Sequence, residues 1–274
     1  MRSSIMNKLI IYVLLLLGVL FTVAPFYWMV IGSTNPTDEI LSYPPKFLPG
    51  DFIAENLKRL MGSVDIWKAL LNSSIITITF TILAGIVSAA AGFTFAKYHF
   101  RGKKIIFAMF ILSMMIPYQA LVIPQFNLFA NFGLLNTHIA VILPQLTYPF
   151  AIFLIMQNMK SIPDSLLESA RIDGAGEIFI FVRIALPTMI PALAAVSIFL
   201  FTFQWNNFLW PLVSLITKDM YTLPVALATI ANQDTIDYGQ LMLGATISVI
   251  PIFIIFLFMQ RYFVAGILGG AIKE

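Results

Sequence analysis

Groups able to do chemistry are scarce in this 274-residue chain. It has two histidines, His99 and His138, and no cysteine, which excludes disulfides, thiolate nucleophiles and Cys-based metal sites. His99 sits beside Lys97 and Arg101 in a basic stretch, where a solvated loop residue is the ordinary role, and His138 opens an apolar run. No metal-ligand spacing and no nucleophile–base pair is present. The phosphate-cradling pattern G-x-x-x-x-G-K-[ST] is also missing; Gly102-Lys103-Lys104 lacks its first glycine and its hydroxyl. The chain therefore reads as a non-catalytic protein that binds no cofactor or metal of its own. Any work drawn from ATP has to come through a partner.

The setting of these few polar groups is a membrane. Hydrophobic residues make up 59% of the chain and charged residues 11%, with a mean hydropathy of +0.91. A soluble domain carries about 25% charged residues. The 55 positions from 105 to 159 contain no Asp, Glu, Lys or Arg. A net charge of +3 would suit nucleic acid, but the basic excess lies in short loops between apolar runs, as membrane topology requires.

A membrane-crossing helix needs about 20 apolar residues. The uncharged runs are 9–37, 69–96, 105–159, 184–217 and 238–260, and the third is long enough for two crossings, with Asn127, Asn131, Gly133, Asn136 and Thr137 as its turn. This predicts an all-α integral membrane protein of six helices, near 10–31, 70–96, 105–127, 138–158, 184–212 and 240–261. With a cytoplasmic N-terminus, 11 of the 16 Lys and Arg residues fall inside and 5 outside, so both termini are predicted cytoplasmic. The first run is twice as long as a signal-peptide core and no small-x-small cleavage site follows Trp28, so it is read as an uncleaved helix. The whole of 1–274 is read as one membrane domain. Its extracytoplasmic loop 32–69 carries Phe47, Phe52, Leu57 and Trp67, more apolar residues than a plain linker would.

The segment 160–183 stands out on the cytoplasmic side. Ser161-Ile162-Pro163-Asp164 reads as a helix start, with Leu166, Leu167 and Ala170 as a short apolar face and Gly174 and Gly176 as the stop. A second short helix, 177–182, leads into the fifth span, where Pro187 and Pro191 interrupt the ladder. Four acids (Asp164, Glu168, Asp173, Glu177) face three bases, whereas lipid-binding helices favour Lys and Arg. Docking to a protein partner fits this better than rest on lipid headgroups.

Glu168-Ser169-Ala170, three residues, Gly174, nine residues, then Ile184-Ala185-Leu186-Pro187 resembles the EAA loop of ABC-importer permeases. One position departs from the pattern, Ser169 standing where the family has alanine. Asn72-Ser73, Phe95-Ala96-Lys97-Tyr98, Gly133-Leu134-Leu135-Asn136-Thr137, Trp205-Asn206-Asn207-Phe208, Thr222-Leu223-Pro224 and the C-terminal stretch 260–273 extend the likeness. They point to the carbohydrate branch, around the smaller permease subunit of maltose-type importers. The family's usual acid after Trp-Asn is Asn207 here.

The resemblance implies a multi-pass permease in a bacterial or archaeal cytoplasmic membrane. It would pair with a second, different permease chain and with two ABC ATPase subunits that bind ATP and magnesium. An extracytoplasmic solute-binding protein would deliver the sugar, and nucleic acid has no part. Glu168, Ala170 and Gly174, with Ser169, Asp173, Leu186 and Pro187, would couple the permease to the ATPase, and the tail 269–274 would reach the ATPase dimer.

For the sugar path, aromatic faces and amide or hydroxyl groups can satisfy hydroxyls without buried charge. Tyr118, Gln119, Gln145, Tyr148, Gln204, Trp205, Asn206 and Asn207 are the candidates near midspan, although polar residues in spans also pack helix against helix. Prolines 117, 124, 144, 149, 187 and 191 predict bent spans. An importer of another polar solute, a self-contained secondary carrier and a docking scaffold are the competing readings. The carrier would need ionisable residues within the spans, and none lies near a span centre.

Overall fold

The computed structural model describes residues 2–232 and 235–271, with side chains over 6–232 and 235–261. Helices α1 (Arg2–Ser33), α2 (Thr37–Ile40), α3 (Ile53–Ser63) and α4 (Ile66–Lys97) are followed by α5 (Lys103–Ser113) and α6 (Tyr118–Asn131). Then come α7 (His138–Ile142), α8 (Pro149–Met159), α9 (Asp164–Ile172) and α10 (Glu177–Phe179). The chain ends with α11 (Leu186–Thr188), α12 (Ile190–Trp205), α13 (Leu209–Ser214), α14 (Leu223–Ala231) and α15 (Tyr238–Ala271).

Among the described residues, three helices are long and apolar enough to cross a membrane unbroken, within α1, α4 and α15. Three further spans are bent pairs: α5 with α6 at 100°, α7 and the 3-10 turn after it with α8 at 48°, and 177–188 with α12 at 83°. That makes up to six crossings in an all-α fold. The breaks follow the prolines. Pro117 caps α6 in an extended conformation, Pro149 occupies the first turn of α8, and Pro191 the first turn of α12. Pro187 stands four residues before Pro191, where a proline ring meets the preceding carbonyl and ends the helix at Met189. Pro124 is absorbed within α6 without a break. The short helix expected over 177–182 runs on through a π-helical stretch, Ile180–Ala185, into α11. Pro187 has no N–H to give to the turn beneath it, and a widened turn takes up that missing bond.

The chain divides into two compact units, Met1–Trp67 with Ala226–Ile250, and Lys68–Val225 with Pro251–Glu274. In the first, α1 is exposed on every face from Met6 to Tyr27, the pattern of a helix whose surroundings are lipid or another chain. The segment after it is held by polar groups together with buried aliphatic side chains, and Phe47 keeps a ring contact with Trp28 at 5.3 Å. Phe47 and Trp67 are exposed, whereas Asn56, Leu60 and Ile66 are buried. Asn56 Nδ2 donates to the carbonyls of Ser33 (2.9 Å) and Asn35 (3.0 Å), satisfying acceptors left free at the end of α1.

Asp237 caps α15 by accepting from the backbone N–H of Gly239 (3.1 Å) and Gln240 (3.3 Å), and it also accepts from Thr37 Oγ1 (2.8 Å) and Arg59 Nη1 (3.1 Å). Burial pushes its carboxyl up, but the bonds from Thr37, Arg59 and the backbone outweigh that and hold it below its ordinary value. A depressed folded-state pKa adds stability above the unfolded value that is lost as pH falls through the folded one. Asp237→Ala should therefore lower the unfolding midpoint at pH 7 by an amount set by a lost cap, about 1 kcal/mol. The gap between variant and parent should shrink in thermal melts taken below about pH 4. A gap independent of pH would contradict this account of Asp237.

The second unit is built around Phe80, Phe93, Ile155, Met159, Leu200 and Trp210. At Gly92 of α4 an added Cβ would lie 2.7 Å from Ile155 Cγ2 of α8, so only glycine allows that approach. The family-like motifs at one end of this unit turn out to be pins. Asn72 Nδ2 donates to the carbonyls of Asp219 (2.8 Å) and Tyr221 (3.1 Å), and Ser73 Oγ accepts from the Leu223 N–H (2.7 Å). Asn136, at φ 60°, accepts at Oδ1 from the N–H groups of Ile216 (2.9 Å) and Thr217 (3.0 Å). Thr137 caps α7, and Trp210 Nε1 donates to the Ala140 carbonyl at 2.8 Å. His138 Nε2 lies 3.1 Å from Asn72 Oδ1, so this histidine belongs to the same pinning network.

Candidate functional site: a neutral chamber and a braced loop

Three helix interruptions in the second unit, at 114–117, 146–148 and 206–208, open onto one cavity of about 870 Å³. Irregular backbone at membrane depth is stable where it lines a cavity. Tyr118, Gln119, Gln145, Tyr148, Asn206 and Asn207 all line it, so the structure brings together six of the eight midspan candidates. Gln204 and Trp205 are not among its lining residues. They are 4% and 1% exposed, on the other face of α12, where Trp205 stacks on Phe201 at 5.5 Å with an interplanar angle of 12°.

Ser113, Gln125, Thr147 and Thr202 add polar groups, and Phe199 and Phe203 add aromatic faces, that the residue-by-residue reading passed over. The signal for part of this set was present: 199, 202, 203 and 206 recur at one-face helical spacing, which leaves out 204 and 205. The Tyr148 ring lies 4.7 Å from Phe203 and 5.6 Å from Phe199, forming an apolar wall. Asn207 Nδ2 donates to Gln145 Oε1 at 3.4 Å, and Gln125 Nε2 to the Tyr118 hydroxyl at 3.4 Å. These bonds are long, and an amide retains further donors and acceptors for a ligand.

The second feature is α9 and the turn after it. Leu167 is buried in the unit's core and Ala170 packs against that core, whereas Leu166, the third residue of the expected apolar face, is exposed. Glu168, Ser169, Ile172 and Asp173 are exposed, as are Ile178 and Phe179 beyond the turn. The turn itself satisfies the end of α9 with bonds from the Ala175 N–H to the Ala170 carbonyl (2.9 Å) and from the Gly174 N–H to the Arg171 carbonyl (3.0 Å). Gly174 has φ +83°, a left-handed conformation that glycine adopts without strain. Leu186 is half-buried against the core, and Pro187 is exposed beyond the π-helical stretch.

The loop is braced by the end of α4. Lys97 Nζ donates to Asp164 Oδ1 at 2.8 Å and to the Ile162 carbonyl, and its side chain is only 4% exposed. Lys97 holds the Asp164 carboxyl below its ordinary value. The Tyr98 hydroxyl donates to Glu177, which Arg171 also grips, with Nε to Oε1 at 2.8 Å and Nη2 to Oε2 at 3.2 Å. Nothing in the resemblance singled out this role for Lys97 and Tyr98. His99 is exposed beside them. Among the described residues no three His, Asp or Glu side chains could hold a metal ion together. The tail expected to reach a partner ends outside the described residues at 272–274, and its side chains from 262 onward are likewise outside them.

Broken apolar spans around a polar chamber, with a braced amphipathic helix in a loop, define a membrane permease. The segment 81–269, more than half of the chain, matches the family described as binding-protein-dependent transport system inner membrane component. The chain belongs to that family. It is 36% identical to the lactose transport system permease protein of Rhizobium radiobacter over 94% of both chains. It is 37% identical to the arabinooligosaccharides transport system permease protein of Halalkalibacterium halodurans, covering 92% of this chain and 91% of that one. Its fold matches a bacterial ABC transporter that imports the acidic polysaccharide alginate, with a TM-score of 0.84 and 22% identity over 96% of this chain and 98% of the other. The protein is a non-catalytic permease subunit of a multi-subunit ABC importer in the bacterial inner membrane.

Proposed function

We propose that this chain forms half of a translocation pathway for a carbohydrate and couples that pathway to ATP hydrolysis in a separate subunit. The observation that carries the proposal is the chamber, where three interrupted spans turn amide, hydroxyl and aromatic groups toward one space. Such groups exchange hydrogen bonds with sugar hydroxyls while their apolar faces cover the rings. The proteins it is similar to add support, since they are named for lactose, arabinooligosaccharides and diacetylchitobiose.

In this reading 1–274 is one permease domain of six crossings with both termini in the cytoplasm, and 160–183 lies on the cytoplasmic face between the fourth and fifth. Glu168, Ser169 and Asp173 meet the ATPase. Ala170 and Leu186 hold the helix to the permease core, and Gly174 and Pro187 set the turns on either side. A second permease of different sequence, two ATPase subunits and an extracytoplasmic solute-binding protein complete the assembly.

The test is uptake of radiolabelled oligosaccharides into proteoliposomes that hold the assembled complex, with ATP enclosed at the ATPase face and binding protein on the other. Accumulation of at least one sugar that requires both ATP and binding protein is expected. Uptake driven by an ion gradient without ATP would replace this reading with a secondary carrier.

A further inference from the structure

We infer that the chamber in this chain is itself a subsite for uncharged glycans and rejects sugars that carry a carboxylate or phosphate. The inference rests on the carbohydrate reading above and narrows it. Among the described residues, twenty line the chamber and none of them is Asp, Glu, Lys, Arg or His. On this chain's side an anionic solute would meet no counter-charge, and burying an unpaired ion costs several kcal/mol. The helix ends do not supply one either. At each interruption the C-terminal end of one helical segment, at Ser113, Gln145 or Trp205, stands within five residues of the N-terminal end of the next, at Tyr118, Pro149 or Leu209. Their partial charges, negative and positive, offset one another.

What remains is dipolar and aromatic, which is what a neutral polyol needs. Tyr148, backed by Phe203 and Phe199, gives a flat apolar surface for the C–H face of a sugar ring. Gln145 and Asn207 stand opposite one another with a 3.4 Å bond between them, and a pair of ring hydroxyls can replace that bond with shorter ones. A volume of about 870 Å³ lies in the range of small-molecule sites, about 300–1,000 Å³, and leaves room for a short oligosaccharide.

The chain contains no cysteine, so one introduced thiol reports from one place. In the complete importer in proteoliposomes, Asn207→Cys is labelled with an uncharged maleimide, and the labelling of this chain is timed in the presence of each solute. The probes are lactose, N,N′-diacetylchitobiose, sn-glycerol 3-phosphate and an alginate trisaccharide, all at one concentration. Lys58→Cys, on the exposed side of α3, serves as the control for reagent access. At least one uncharged sugar should slow labelling at position 207 about fivefold, the effect of a ligand at about four times its Kd. The two anions should leave labelling unchanged, as should every solute at position 58.

Equal protection by an anion overturns the inference. So does labelling at 207 that no sugar slows in a complex whose wild-type form imports a neutral sugar, and in that case the carbohydrate reading stands while the chamber loses its role. If the wild-type complex imports only the alginate trisaccharide, the inference falls while the carbohydrate reading stands, and import of sn-glycerol 3-phosphate alone overturns both. Gln145→Cys carries the same test should Asn207→Cys fail to assemble.

Discussion

Glu168→Lys should leave the protein inserted and folded but should strip the complex of its ATPase. Glu168 lies on the exposed side of α9 and makes no hydrogen bond or ion pair with another described residue, so its replacement disturbs no contact within the chain. The neighbouring exposed residues, Ser169, Ile172 and Asp173, give the surface a mixed apolar and acidic character. Reversing the charge puts like against like wherever the partner offers a base or an N–H group. Severing a desolvated charged contact costs about 2–5 kcal/mol. On that scale the ATPase would bind roughly 30-fold to several thousand-fold more weakly. Pull-down of the ATPase through a tag on this chain measures it directly. Full recovery of the ATPase with Glu168→Lys would remove Glu168 from the interface.

Lys97→Met should damage coupling from inside the chain. The ammonium is nearly sealed from water, and it joins the end of α4 to the first turn of α9 through Asp164 and the Ile162 carbonyl. Methionine preserves the apolar stem and leaves the carbonyl without its donor, which costs about 1–3 kcal/mol for a buried acceptor. That shifts the balance between braced and released loop by about 5- to 150-fold. Asp164→Asn should do less, because the amide oxygen can still accept from Lys97 and the Ile162 carbonyl keeps its donor. The expected sequence of effects is a faster hydrogen exchange over 163–176 in Lys97→Met, with a lower yield of sugar moved per ATP hydrolysed. Both should stay near the parent values in Asp164→Asn. Identical exchange in the two variants would show that the brace does not hold the loop.

Much of this was legible in the sequence, and the gaps have physical causes. The uncharged runs located the crossings because a hydrocarbon core tolerates so few charges. The prolines at 117, 149 and 191 marked real breaks, yet 177–188 runs on through Pro187 and Pro124 left α6 whole, since one missing donor can be absorbed inside a helix that is otherwise well bonded. The helix at 164–172 and its stop at Gly174 followed from local rules of capping and left-handed glycine. The π-helical run after Phe179 did not, because Pro187 signals a missing bond without fixing how the turns before it adjust.

In the chamber, Gln204 and Trp205 were grouped with Asn206 and Asn207 because they adjoin in sequence, whereas a helix turns about 100° per residue and sends the first two into the core. The brace was out of reach for a different reason. Lys97 and Tyr98 are separated from Asp164 and Glu177 by 67 and 79 positions, and only the folded chain brings them together.

The central claim is that sugar in a chamber and ATP in another subunit are linked through this chain. Its most direct test is the ATPase rate of the assembled complex in proteoliposomes, with binding protein and a panel of sugars, for the parent and for Glu168→Lys. Stimulation by at least one uncharged sugar is expected in the parent and none in the variant. An intact parent complex whose ATPase responds to no sugar would contradict the account and leave only the family assignment standing.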